Sequence, residues 1–95
     1  METRKIVRAN EAGVFFGEVV KQDGTTVIMR NARRLWYWDG AASISELAQN
    51  GTANPDDCKF PCTVEEIQIF NVIEILSVTS NAAKSIDGVK VWTKF

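Results

Sequence analysis

A chain of 95 residues with 45% apolar and 24% charged side chains is one globular domain's worth of sequence, with one core and too many apolar groups to stay disordered. A net charge of −1 excludes the global basic field that drives non-specific duplex DNA binding. The absence of histidine removes Ser-His and Cys-His nucleophile pairs, His-ligated zinc and the commonest general base, which favours binding over catalysis.

No apolar stretch approaches the roughly 20 residues of a membrane span, and no basic-then-apolar leader opens the chain. A cytoplasmic protein without a membrane partner is expected. Cys58 and Cys62 then read as reduced thiols, because a bridge between them would close too short a loop to stabilise much.

Residues 5–8 predict a first short strand, and Asn10-Glu11-Ala12-Gly13 a turn. Residues 14–21, rich in β-branched and aromatic side chains, predict the second strand. Asp23-Gly24 supplies the positive φ angles of a tight hairpin. The third strand therefore starts at Thr25 and runs as far as Trp38, with a bulge at Asn31-Ala32 where the β-branched run breaks. Ser43-Ile44-Ser45-Glu46 has the spacing of a capping box, and Ile44, Leu47 and Ala48 follow at helical intervals up to Gly51.

Residues 52–61 predict a loop, and residues 64–78 carry a β-branched density that favours strand over helix, broken near Asn71. In that run Ile69, Ile73 and Ile75 share one face while Phe70, Val72, Leu76 and Val78 share the other. Two apolar faces imply a central strand or one face covered by another subunit. Residues 81–86 suggest one helical turn, and residues 89–94 a closing strand. The expected fold is a single α+β domain over residues 1–95. It is a mostly antiparallel sheet of about five strands, partly barrel-like, with one short helix inserted after the third strand.

Residues 30–40 concentrate the chemistry, with Arg30, Arg33, Arg34, Trp36, Tyr37 and Trp38 inside nine positions. Strand alternation puts Arg34, Trp36 and Trp38 on one face and Arg33, Leu35 and Tyr37 on the other. Arg30 joins the first set unless the bulge turns it over. Guanidinium groups bind phosphate and flat rings stack on bases, so this combination suits a nucleotide or a short oligonucleotide. The same residue types are enriched at protein interfaces, and that alternative stands beside the ligand site. Asp39 and Ser43 are placed to bond a ligand or fix the turn, and Lys59 adds charge from the following loop. No catalytic set, metal site or cofactor motif is evident: Asp56-Asp57 and Glu65-Glu66 are adjacent and point apart if extended.

The segments Gly13-Val14-Phe15-Phe16-Gly17-Glu18-Val19, Asn31 through Ser43 and Cys58-Lys59-Phe60-Pro61 resemble a family of small uncharacterised proteins of bacteriophages and prophages. The resemblance implies a protein working in the cytoplasm of a bacterial host. By analogy with small phage proteins that soak up nucleotide immune signals, it implies a non-catalytic homo-oligomer that sequesters such a ligand. Arg30, Arg33 and Arg34 would meet phosphates while Trp36, Tyr37 or Trp38 stacks on a base. The competing expectations are an inhibitor or adaptor that binds a host protein through the Trp/Arg surface, and a minor structural protein of the virion.

Overall fold

The computed structural model describes residues 1–94. Five strands and two helices follow in the order β1 (Lys5–Ala9), β2 (Gly13–Asp23), β3 (Thr26–Arg34), α1 (Ile44–Asn50), β4 (Thr63–Ile69), β5 (Val72–Ser77) and α2 (Ser80–Asp87). The strands form one antiparallel sheet in the order β4-β3-β2-β1-β5. The α+β class and the five-stranded antiparallel sheet are as the sequence predicts.

The β2–β3 hairpin closes at the pair Asp23↔Thr26, so its loop residues are Gly24 and Thr25, one step later than an Asp-Gly turn. Gly24 takes φ +61° at the first loop position, where a side chain is disfavoured. Farther along, Phe16 pairs with Arg33 and Glu18 with Arg30, leaving Gly17 opposite both Asn31 and Ala32. This is the expected bulge, with Asn31 at φ +50°. The strands approach closely here: a Cβ on Gly17 would lie 2.7 Å from the Ala32 Cα. A second irregularity falls between Val19 and Lys21, and each adds local twist.

The run from residue 63 to residue 77 is extended, as expected, but it is not a central strand. Its halves β4 and β5 occupy opposite edges of the sheet and are joined by Phe70-Asn71 alone. Asn71 makes the bend at φ +58°. The corner is held by two backbone bonds, Val72 N donating to Thr25 O at 2.8 Å and Asn10 N donating to Asn71 O at 2.9 Å. So short a link requires the sheet to curl until its two edges converge there, although β4 and β5 do not pair and the sheet stays open.

The curl explains why both faces are apolar. Ile6, Phe16, Leu35, Phe60 and Val78 pack with Leu47 of α1 and Ala82 and Ile86 of α2 on the helix-covered face. Val7, Phe15, Val27, Met29, Ala32 and Ile69 form a second cluster on the other face. No helix among the described residues lies over that second cluster, yet Val7, Val27 and Met29 are fully buried, enclosed by the sheet's own curvature.

Helix α1 starts as its sequence requires: Glu46 N donates to Ser43 Oγ at 3.1 Å, and Ala42 N donates to the Glu46 carboxylate at 2.6 Å. Gly51 N caps the other end on Leu47 O. The expected single turn near residue 81 is a two-turn helix. Thr79 caps it, accepting from Ala82 N at 3.1 Å, and Ala82, Ala83 and Ile86 bury one side. The expected closing strand over residues 89–94 is absent among the described residues, apart from a single bridge between Phe60 and Val91. Val89 is buried beneath α2 and its carbonyl is bound by a side chain, which takes it out of any ladder. No helix among the described residues is long and apolar enough to cross a membrane.

Candidate functional site

Strand β3 ends at Arg34, four residues short of the expected end at Trp38. One further backbone bond, Leu35 N to Val14 O at 2.8 Å, keeps the chain beside β2. Tyr37 then exchanges two backbone bonds with Lys59, at 2.8 and 3.3 Å. The strand end and the two segments beside it fix where each of the nine predicted site residues goes, and they do not converge.

Arg30 lies on the outer surface and faces Glu66 across the β3–β4 ladder, 3.3 Å from its carboxylate. The bulge has turned it away from Arg34.

Arg33 is the correction of most consequence. It is 7% exposed and points to the helix-covered face. Its guanidinium donates to four main-chain carbonyls: Pro61 and Phe60 at 3.0 Å, Ile86 at 2.9 Å and Val89 at 2.6 Å. Burial lowers its pKa from the ordinary value, against an opposing pull from Asp87. With four of its five N–H donors on carbonyls and the group shut off from solvent, it is not placed to meet a phosphate and serves instead to fasten β3 to the end of α2 and the chain beyond.

Arg34 points the other way, to the mouth of the curled sheet. Its guanidinium lies 4.4 Å from the Phe15 ring centroid, and Nη1 donates to Ala12 O at 2.5 Å. No carboxylate among the described residues lies within ion-pair distance of it. Two adjoining cavities share this side chain together with Glu11 and Ala12. One, of about 230 Å³, is walled by Trp36 and Trp38. The other, of about 390 Å³, extends to Ile67 and Phe70 at the seam between the sheet edges. Trp36 is 64% exposed, whereas Trp38 is half-buried against the helix-covered core.

The other predicted residues lie elsewhere. Tyr37 faces away from the cleft, and the Lys59 ammonium sits 5.8 Å from its ring centroid and 5.7 Å from that of Trp92. Asp39 fixes its loop: its carbonyl accepts from Thr52 Oγ1, and its carboxylate accepts from Asn54 Nδ2 at 3.3 Å. Ser43 is spent as the cap of α1. Cys58 is buried with its thiol among loop oxygens, and Cys62 is exposed and free. Among the described residues, no three acidic or cysteine side chains converge on a point that would hold a metal ion.

The structure brings Arg34, Trp36 and Trp38 around one cavity with Glu11 and Leu35, although the chain has left β3 after Arg34 and no strand face holds the three together, and Phe15 and Phe70 line the adjoining cavity. Glu11 went unnoticed because it belongs to a turn that reads as a simple connection. Its φ of +69°, uncommon outside Gly, Asn and Asp, is invisible in the sequence.

A curled, open five-stranded antiparallel sheet with two helices on one face defines the class: a small α+β domain with an aromatic cleft at the mouth of the sheet. Residues 2–86 match the family described as Domain of unknown function (DUF6948), and the chain belongs to that family. No curated protein and no solved structure matches it.

Proposed function

We propose that this protein is a non-catalytic binding protein whose cleft takes a nucleotide-type ligand, with the base against Trp36 and Trp38 and a phosphate at Arg34. The observation that carries the reading is the juxtaposition of two indoles with an arginine that has no carboxylate partner among the described residues, lining one cavity. Base–aromatic stacking contributes about 1–3 kcal/mol per base and a charge-assisted bond to phosphate about 1.5–3 kcal/mol, enough together for a selective small-molecule site.

One guanidinium in the cleft, rather than three, favours a ligand that presents a single phosphate to each protomer. The resemblance to phage proteins supports the finer reading, in which a phage-encoded homo-oligomer sequesters a host immune signal in the bacterial cytoplasm. Sequestration works by mass action and demands high abundance and tight binding.

Exposed Trp36 and Phe70 at the same mouth favour one second reading, a host protein docked there as a target of inhibition. Isothermal titration against mononucleotides and cyclic nucleotides separates the two. Heat that is lost in Trp36→Ala supports the ligand site. Silence across the panel, with a stoichiometric host protein recovered on immobilised wild type and not on Trp36→Ala, supports the docking surface.

A further inference from the structure

The cleft carries a feature that stacking and phosphate binding leave unused. Glu11 lines both cavities alongside Arg34, is exposed, and makes no ion pair among the described residues. Its backbone is held at φ +69°, where a glutamate is disfavoured relative to glycine or asparagine. The turn that holds it is pinned on both sides: Asn10 N bonds Asn71 O at 2.9 Å, and Ala12 O receives the Arg34 guanidinium. The backbone that carries the Glu11 carboxylate is thus held at the rim of a cavity walled by indoles.

Resting on the nucleotide reading, we propose that Glu11 selects the base, and that the base is guanine. A carboxylate offers two acceptor oxygens and no donor. Among the common bases only guanine presents two adjacent N–H donors, N1–H and N2–H, on the edge opposite its sugar. Adenine and cytosine each pair one donor group with a ring-nitrogen acceptor there, which a carboxylate repels. Uracil flanks its single donor with two carbonyls. The chemistry is that of a bidentate acceptor reading a bidentate donor, with Trp36 and Trp38 supplying the face and Arg34 the anion contact. The guanine is bound, not altered, and no bond is made or broken.

The test titrates wild type and Glu11→Gln with GMP, dGMP, AMP, CMP and UMP by calorimetry. Glutamine keeps the side chain's size and its backbone demands, and circular dichroism checks that the fold persists. Wild type is expected to favour GMP over AMP by roughly ten- to a hundredfold, the discrimination usual for a bidentate base contact, with dGMP close to GMP. In Glu11→Gln most of that preference disappears while AMP affinity changes little. Equal affinity for all bases, or an unchanged GMP preference in Glu11→Gln, overturns the assignment of Glu11 and leaves the nucleotide site standing. Preference for GMP over dGMP without preference among bases overturns it in favour of a ribose contact. No binding of any member by wild type overturns the site and the assignment together.

Discussion

The helix-covered side of the sheet and its open mouth each receive an arginine from the end of β3, and the two are treated in opposite ways. On the covered side Arg33 is surrounded by four carbonyl oxygens and shut off from water. At the mouth Arg34 spends one donor on Ala12 and rests on the Phe15 ring, with the rest of its guanidinium facing two cavities. Consecutive strand residues point to opposite faces, so one became a fastener and its neighbour a candidate ligand contact. A cluster of like residues in a sequence is therefore not a cluster in space, and the partners of each side chain decide its role.

The harshest way to break the comparison is Arg33→Met. It keeps the apolar stem, removes the charge, takes the guanidinium donor from the buried Val89 carbonyl and leaves those of Phe60 and Ile86 with only their backbone bonds from Trp92 and Val89. We expect a loss of about 3–5 kcal/mol in urea unfolding, since a charged donor lost from a buried network costs both its bonds and the desolvation of what it leaves. Arg33→Lys should recover only part of this, because an ammonium cannot reach the same fan of acceptors.

Acid gives a smaller effect, confined to the helix-covered side. Glu2 is held well below its ordinary value of 4.5, at about 2, chiefly by its side-chain bond to Arg4. Arg4, whose pKa is raised by Glu2 and Asp87, lies over the Phe16 ring and grips Asp87 at the end of α2. A carboxyl with a lowered folded-state pKa contributes its full stability above the unfolded value and loses it as pH falls. Stability should decline from about pH 4.5 towards 2. Glu2→Gln should flatten that part of the profile when unfolding is followed by denaturant at each pH.

The smallest expected effect on the fold is at the mouth. Trp36→Ala should leave stability within about 0.5 kcal/mol, because its ring is largely in water. If it instead destabilises by several kcal/mol, the mouth is core and the contrast between the two arginines fails.

Much of this arrangement was legible in short stretches of the sequence. The bulge at Asn31-Ala32, the cap at Ser43 and the extended run broken at Asn71 each follow from local chemistry and reappear in the structure. What was not legible depends on partners far along the chain. Nothing near Arg33 reveals that carbonyls 27 and 53 positions away will converge on it. The closing strand failed for the same reason: alternation over residues 89–94 was real, but Val89 was claimed by α2 and Arg33 before it could join a ladder. Glu11 was missed because its importance lies in backbone handedness and in a cavity formed by β3 and β4, not in its own neighbourhood.

The bend at Phe70-Asn71 bears on how the molecule opens. Both borders of the sheet are made from one stretch of chain, hinged at a corner that is stitched to the β2–β3 loop and to the β1–β2 turn. Peeling either border strains the stitches that secure the other, so the two fray as one cooperative unit instead of as independent loose ends. A small rolled sheet with two unpaired margins thereby gains, from a single asparagine in a left-handed conformation, mutual protection of its amide protons against exchange and of its margins against sticking to other chains.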